Sequence, residues 1–184
     1  MKIPTVTVHG RFQPPLHKNH WNYIEHAFEL ADHVQILITN PDLNETQISE
    51  NPGRNSAERN PFSYEERVTM FRAFFKNMNT DASRYSFKPF KITDESEWKK
   101  VLDPTIPNLV NVYSAWSEKK YATFKELGYE VIWTDNPRLN DVSGTRIREV
   151  LAQNLPRPEM ERALLSTGFM PEALEGLFQT INHD

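Results

Sequence analysis

The sequence predicts a doubly wound α/β fold, a parallel sheet with helices on both faces, and three observations lead there. Short β-branched and apolar runs alternate with segments of helical periodicity along most of the chain. One run, Val34-Gln35-Ile36-Leu37-Ile38-Thr39, is almost continuously apolar, the pattern of a strand buried on both faces of a parallel sheet. The 184 residues include no cysteine and no apolar stretch near the ~18 residues of a membrane span, so a hydrophobic core must hold the chain together. Right-handed crossovers between successive parallel strands then place helices on both faces.

In order, residues 3–8 read as the first strand. Residues 20–31 read as a helix, with Trp21, Ile24, Ala27, Phe28 and Ala31 spaced by three or four on one face. Residues 34–39 form the second strand. Residues 40–60 hold five asparagines, two prolines and one glycine. A loop of about 20 residues inside a compact domain is usually a lid, a binding loop or a disordered insertion, and Arg54 and Arg59 lie in it. Ser63 with Glu66 is a capping box that starts a helix over 64–76, burying Val68, Phe71, Phe74 and Phe75. Strands follow at 85–90 and 109–113, with a short helix over 95–102 between them. A helix over 118–127 stops at Gly128, and 131–133 is the fifth strand. Ser143 opens a helix to about residue 153, and the tail, 157–182, reads as two short helices broken by Gly168 and Pro171. There is no internal repeat.

Charge and composition exclude several functions. Twenty-one Lys and Arg against 25 Asp and Glu leave a net charge of −4, which argues against a nucleic-acid binder with a basic face. The lack of cysteine excludes a disulfide framework, a thiolate zinc site and a cysteine nucleophile. Met1-Lys2-Ile3-Pro4 runs directly into a strand, so the expectation is a soluble cytoplasmic protein without a leader or membrane partner.

Two segments carry chemistry. The first, Gly10-Arg11-Phe12-Gln13-Pro14-Pro15-Leu16-His17-Lys18-Asn19-His20, is a strand-to-helix turn. A phosphate ester there meets the orphan amides of a helix N-terminus and two imidazoles about one turn apart. The ordinary alternative is one capping histidine and one packed histidine. A metal pair would need carboxylates from elsewhere. The second, Val142-Ser143-Gly144-Thr145-Arg146-Ile147-Arg148, offers hydroxyls and amides at the positive end of a helix, with Arg148 one turn on. Its ordinary alternative is an N-cap before a solvated basic face. Neither a Walker motif nor a Gly-x-Gly-x-x-Gly fingerprint is present. Both segments fall at carboxyl ends of predicted strands, where doubly wound sheets bind ligands.

Together the two segments resemble the signatures of the nucleotidyltransferase superfamily, His-x-Gly-His at the first helix and Ile-Ser-Ser-Thr-x-x-Arg near the last. With Asn60-Pro61-Phe62-Ser63-Tyr64-Glu65-Glu66-Arg67, Ala82-Ser83-Arg84-Tyr85, the Trp98 segment and Gly128-Tyr129-Glu130-Val131, the chain looks like the archaeal-type nicotinamide-nucleotide adenylyltransferases. The resemblance covers roughly residues 5–153. It implies a Rossmann-like nucleotidyltransferase domain over 1–155, with 156–184 a helical appendage of it.

The resemblance implies in-line transfer of AMP from ATP to the 5′-phosphate of nicotinamide mononucleotide, giving NAD and pyrophosphate, with Mg²⁺ carried by ATP rather than by a protein cage. His17, His20 and Arg148 would be the catalytic residues. Gly10, Arg11, Phe12, Gln13, Arg59, Val142, Ser143, Gly144 and Thr145 would lie against substrate, and Trp98 would stack on the nicotinamide ring. Related enzymes commonly assemble as homo-oligomers. Alternatives are another phosphorylated acceptor, CTP as donor, or a nucleotide-binding protein without turnover. The chain departs from the family at Asn19, where glycine is usual, at Asn40-Pro41-Asp42, at Lys91 or Asp94, and at Ser114-Ala115-Trp116.

Overall fold

The computed structural model describes residues 1–40, 56–91, 95–111, 115–134 and 138–181, apart from the side chains of 115 and 116. The expectations for residues 41–55 with Arg54, for Asp94 and Ser114, and for the indole of Trp116 lie outside what is described. The elements are β1 (Ile3–Gly10), α1 (Lys18–Leu30), β2 (Ala31–Thr39), α2 (Tyr64–Asn77), β3 (Tyr85–Phe90), α3 (Glu95–Val101), β4 (Asn108–Asn111), α4 (Ala115–Glu126), β5 (Val131–Thr134), α5 (Gly144–Leu151), α6 (Arg157–Ser166) and α7 (Leu174–Ile181). They form two compact units that alternate along the chain.

The first unit comprises Met1–Gly10, Asn22–Asn40 and Ala82–Arg138. It contains the sheet, in the order β3-β2-β1-β4-β5, with every pair parallel. Val34, Ile36, Leu37 and Ile38 of β2 are fully buried, as their apolar run requires. The strand order reverses between β1 and β4, because the chain leaves β1 for β2 on one side and later returns to pair β4 on the other. Arg84 donates from Nη2 to the carbonyls of Phe28 and Ala31, satisfying the orphan acceptors where α1 runs into β2. Helix and strand therefore adjoin at Leu30 and Ala31, and β2 starts three residues before its apolar run.

A hydrophobic cluster of Leu37, Phe90, Trp98, Leu102, Val110, Phe124 and Tyr129 packs within this unit. Trp98 is 3% exposed, stacks on Phe124 at 4.6 Å and donates from Nε1 to the Lys91 carbonyl at 3.2 Å. The indole expected to stack on a nicotinamide ring is packed here in the core, with its polar atom satisfied.

The second unit comprises Arg11–Trp21, Pro41–Asp81 and Leu139–Asp184. Both bonds of the capping box form at α2: Ser63 Oγ accepts from the Glu66 amide, and Glu66 Oε2 accepts from the Ser63 amide at 2.6 Å. The helix buries Val68, Met70, Phe71, Phe74 and Phe75. α7 covers it closely: a Cβ on Gly176 would lie 2.8 Å from Ala73 Cβ. In the tail, Met160, Leu164, Phe169, Leu177 and Phe178 are all buried.

Candidate active site

The site is assembled within the second unit, from the loop that follows β1 to the start of α5. The loop begins with two side chains in left-handed backbone, Phe12 at φ 50° and Leu16 at φ 73°. Such conformations cost of order 1–3 kcal/mol each. Both side chains are 1% exposed or less, and burying a large apolar side chain returns about 1.5–3 kcal/mol. Burial therefore sustains the turn. The Phe12 ring meets the edges of His20 at 4.9 Å and Phe71 at 5.1 Å. Phe12, expected to lie against substrate, packs its buried side chain against the His20 imidazole.

Three clamps hold the loop's backbone. Arg67, fully buried on α2, donates from Nη1 to the Arg11 carbonyl at 2.7 Å and from Nε to the Ser63 carbonyl at 3.0 Å. Burial, then the nearby charge of Arg11, pushes the Arg67 pKa down to about 10, so it remains a cation at neutral pH. The Gln13 side chain pairs with the backbone of Phe62, donating to its carbonyl at 2.7 Å and accepting from its amide at 3.1 Å. Gln13, expected to lie against substrate, ties the loop to Phe62 through both side-chain atoms. Lastly, the Lys18 amide donates to the Gly168 carbonyl and the Met170 amide to the Leu16 carbonyl, with His17 bridged to Phe169 between them.

His17 and His20 stack with ring centroids 3.6 Å apart and planes 21° from parallel. The His20 amide donates to the His17 carbonyl at 2.8 Å and, more weakly, to His17 Nδ1 at 3.4 Å. With Nδ1 accepting, the proton of a neutral His17 ring sits on Nε2.

The segment 139–148 meets this turn through two side chains. Asn19 donates from Nδ2 to the carbonyls of Leu139 and Val142, and its Oδ1 accepts from the Leu139 amide at 2.8 Å. The asparagine that replaces the family's glycine thus staples the two signature segments together. Arg148 donates from Nη1 to the Gln13 carbonyl at 2.6 Å and from Nη2 to Thr145 Oγ1 at 3.1 Å. Gly144 lies where they touch: a Cβ there would stand 2.8 Å from the Gln13 carbonyl oxygen. Ser143 is the N-cap of α5, its Oγ accepting from the Arg146 amide at 3.4 Å. Val142 is buried, and a Cβ on Gly168 (φ 83°) would collide with its methyls at 2.5 Å.

Arg59 ends a turn of 3₁₀ helix (Ala57–Arg59) and is exposed. Burial first, and the charge of Arg59 second, hold the Arg148 pKa below the usual arginine range, which places two guanidinium charges near one another. Arg148 also borders a cavity of about 630 Å³ walled by Phe62, Leu151, Met160 and Phe178, a volume in the range of small-molecule sites.

Of the expected residues, Arg11, Gln13, His17, His20, Arg59, Val142, Ser143, Gly144, Thr145 and Arg148 are thus all in the second unit, joined by the contacts above. Gly10 ends β1, and Trp98 belongs to the core of the first unit. Sequence reasoning missed two supports. The signal for Arg67 was a charge inside the apolar stripe of α2. Asn19 left none, because a polar residue at that position reads as a poor glycine.

A model of the cytidylyltransferase-like family matches residues 7–150. The chain is 32% identical over 157 residues to a phosphonoformate cytidylyltransferase from Streptomyces viridochromogenes, covering 83% of each chain. It is 29% identical over 152 residues to a nicotinamide-nucleotide adenylyltransferase from Pyrobaculum aerophilum, covering 82% of this chain and 78% of that one. The crystal structure of a bifunctional NMN adenylyltransferase/ADP ribose pyrophosphatase from Francisella tularensis superposes with a TM-score of 0.60 at 22% identity, over 84% of this chain and 43% of that one, so this chain spans less than half of it. The match over most of the chain and the two joined signature segments lead to one statement: this protein belongs to the cytidylyltransferase-like family of nucleotidyltransferases.

Proposed function

We propose that this protein transfers a nucleoside monophosphate from a nucleoside triphosphate to a phosphate or phosphonate oxygen of a small acceptor, releasing pyrophosphate. One observation carries the reading: the stacked His17–His20 pair and the N-terminus of α5 are held together by Asn19 and Arg148. An acceptor oxygen attacks the α-phosphorus in line, and the bond to the pyrophosphate oxygen breaks. Positioning and charge stabilisation supply the catalysis, with no covalent enzyme intermediate.

In this reading His20, backed by Phe12 and His17, donates to the phosphoryl oxygens as charge develops. Arg11, Arg59, Ser143, Thr145 and Arg148 receive the triphosphate and its leaving part. Mg²⁺ neutralises the phosphate oxygens when it arrives with the nucleotide. The ion would be carried mainly by phosphate oxygens and water.

The finer reading carried by the sequence is adenylyl transfer from ATP to nicotinamide mononucleotide, giving NAD. A second reading, cytidylyl transfer from CTP to a compact phosphonate, is favoured by the 32% identical relative and by the burial of Trp98 in the core. Purified protein with ATP or CTP, Mg²⁺, and either nicotinamide mononucleotide or phosphonoformate should release pyrophosphate in one combination and give the matching product. Release in none of the four would remove both readings.

A further inference from the structure

The cavity beside Arg148 is lined by residues of the second unit, and of these only Arg148 takes part in the proposed transfer. Phe62, Met160 and Phe178, each at most 6% exposed, form its apolar wall with Leu151. Its charged lining among the described residues is two arginines, Arg148 and Arg157, and two glutamates, Glu58 and Glu66. Two of the four are committed to the fold. Glu66 Oε2 accepts from the Ser63 amide at 2.6 Å, and Arg148 donates to the Gln13 carbonyl and to Thr145 Oγ1. Positive and negative groups balance, so the cavity is unsuited to a polyanion such as a nucleoside triphosphate.

The Arg157 guanidinium lies over the Phe178 ring, 4.6 Å from its centroid, and its Nε donates to Glu161 Oε1 at 2.9 Å. These contacts fix an exposed cation against the apolar wall before any ligand arrives, which lowers the ordering cost of binding. A guanidinium presents five donors in a planar fork, and Glu161 takes one of them. The same walls hold the histidine loop at two points. The Phe62 backbone is bonded both ways to the Gln13 side chain, and Arg148 is bonded to the Gln13 carbonyl. A body packed against Phe62 and Arg148 therefore restrains both groups that fix Gln13.

We infer that this cavity, of about 630 Å³, is a second binding site, for a small amphipathic monoanion. An aromatic or aliphatic body packs against Phe62, Met160 and Phe178, and one acidic group accepts from the Nη nitrogens of Arg157. The occupant stiffens residues 11–20 through Gln13 and is thereby an effector of the loop that carries His17 and His20. Its effect on turnover rests on the nucleotidyl-transfer reading, whereas the site and its hold on the loop do not.

The test uses two fluorescent probes, anilinonaphthalene sulfonate and its uncharged analogue phenylnaphthylamine. Wild type should bind the sulfonate saturably at one site, and hydrogen exchange of the amides in 11–20 should slow several-fold when it is bound. Ala152→Phe puts a ring into the cavity from the end of α5 and should weaken both probes by about tenfold or more. Arg157→Gln should weaken the sulfonate by about fivefold or more and leave the uncharged probe nearly unchanged. Arg157 is exposed, so this variant keeps the test decisive if Ala152→Phe fails to fold. No saturable binding, equal loss of both probes in Arg157→Gln, binding indifferent to Ala152→Phe, or unchanged exchange in 11–20 overturns the inference. Probe binding that meets these expectations, in a protein that releases pyrophosphate with no acceptor, would sustain the site and remove only the nucleotidyl-transfer reading.

Discussion

The guanidinium of Arg148 donates to the backbone carbonyl of Gln13 at 2.6 Å, across 135 residues of sequence. One side chain of α5 therefore fixes the loop that presents the histidines, while its second terminal nitrogen is spent on Thr145. Lysine offers a charge but no planar fork and cannot make both bonds with the same geometry. Arg148→Lys should lower kcat/KM by roughly 10²-fold, in the range for loss of one oriented charge-stabilising donor. Steady-state kinetics with the active acceptor measure this, and retention of wild-type kcat/KM would make Arg148 a purely structural clamp.

His20→Ala should reduce turnover by about 10²–10³-fold while leaving triphosphate affinity nearly intact, because its donation strengthens as charge develops. Nucleotide titration alongside turnover separates the cases. Parallel losses in both would make His20 a ground-state contact.

Asn19→Gly restores the glycine of the related signature and deletes three hydrogen bonds to the 139–142 segment. At about 0.5–1.5 kcal/mol net for each bond, a loss of roughly 2 kcal/mol is expected. For a chain of this size that corresponds to a drop in Tm of roughly 4–8 °C. kcat should fall as well, since the two signature segments lose their staple. A variant that melts and turns over like wild type would show that the other clamps suffice.

Trp98→Ala should cost about 3–5 kcal/mol, the range for truncating a buried aromatic side chain. Trp98→Phe keeps a ring on Phe124 and should leave the acceptor KM unchanged. A raised KM in a fully stable Trp98→Phe protein would return the indole to the acceptor site.

Stability should depend on pH through His9 of β1 and Lys120 of α4, which meet Nδ1 to Nζ in the sheet unit and which burial holds below their usual pKa ranges. The unfolded chain protonates His9 below about 6.5, and the folded protein does not until lower pH, so stability falls as pH drops through that value. The unfolded chain also holds a proton on Lys120 up to about 10.5 while the folded protein has released it, so stability gains as pH rises toward 10.5. Melting curves of wild type and Lys120→Met should diverge in favour of the wild type as pH is raised. Parallel curves would mean that Lys120 stays charged in the fold.

The capping box at Ser63 and Glu66 shows what local reasoning reaches: its residues, spacing and helix start are those found, because the bonds join neighbours in sequence. Gly128 likewise stops a helix with φ 83°, and the apolar run of β2 is buried as a central parallel strand. Gln13 and Trp98 show where such reasoning stops. Sequence marks a polar loop residue and an aromatic near a strand end as candidates, and only the fold supplies their partners, Phe62 and Phe124.

By itself, then, the sequence determined the succession of elements and the residue types available at the two signature segments, since periodicity, caps and turns depend on neighbours. Only tertiary structure decided that Asn19 is a staple, that Arg67 and the tail brace the histidine loop, and that Lys120 stands against His9. Each of these depends on groups far apart in the chain meeting at hydrogen-bond distance, and their energies depend on burial that no single segment carries.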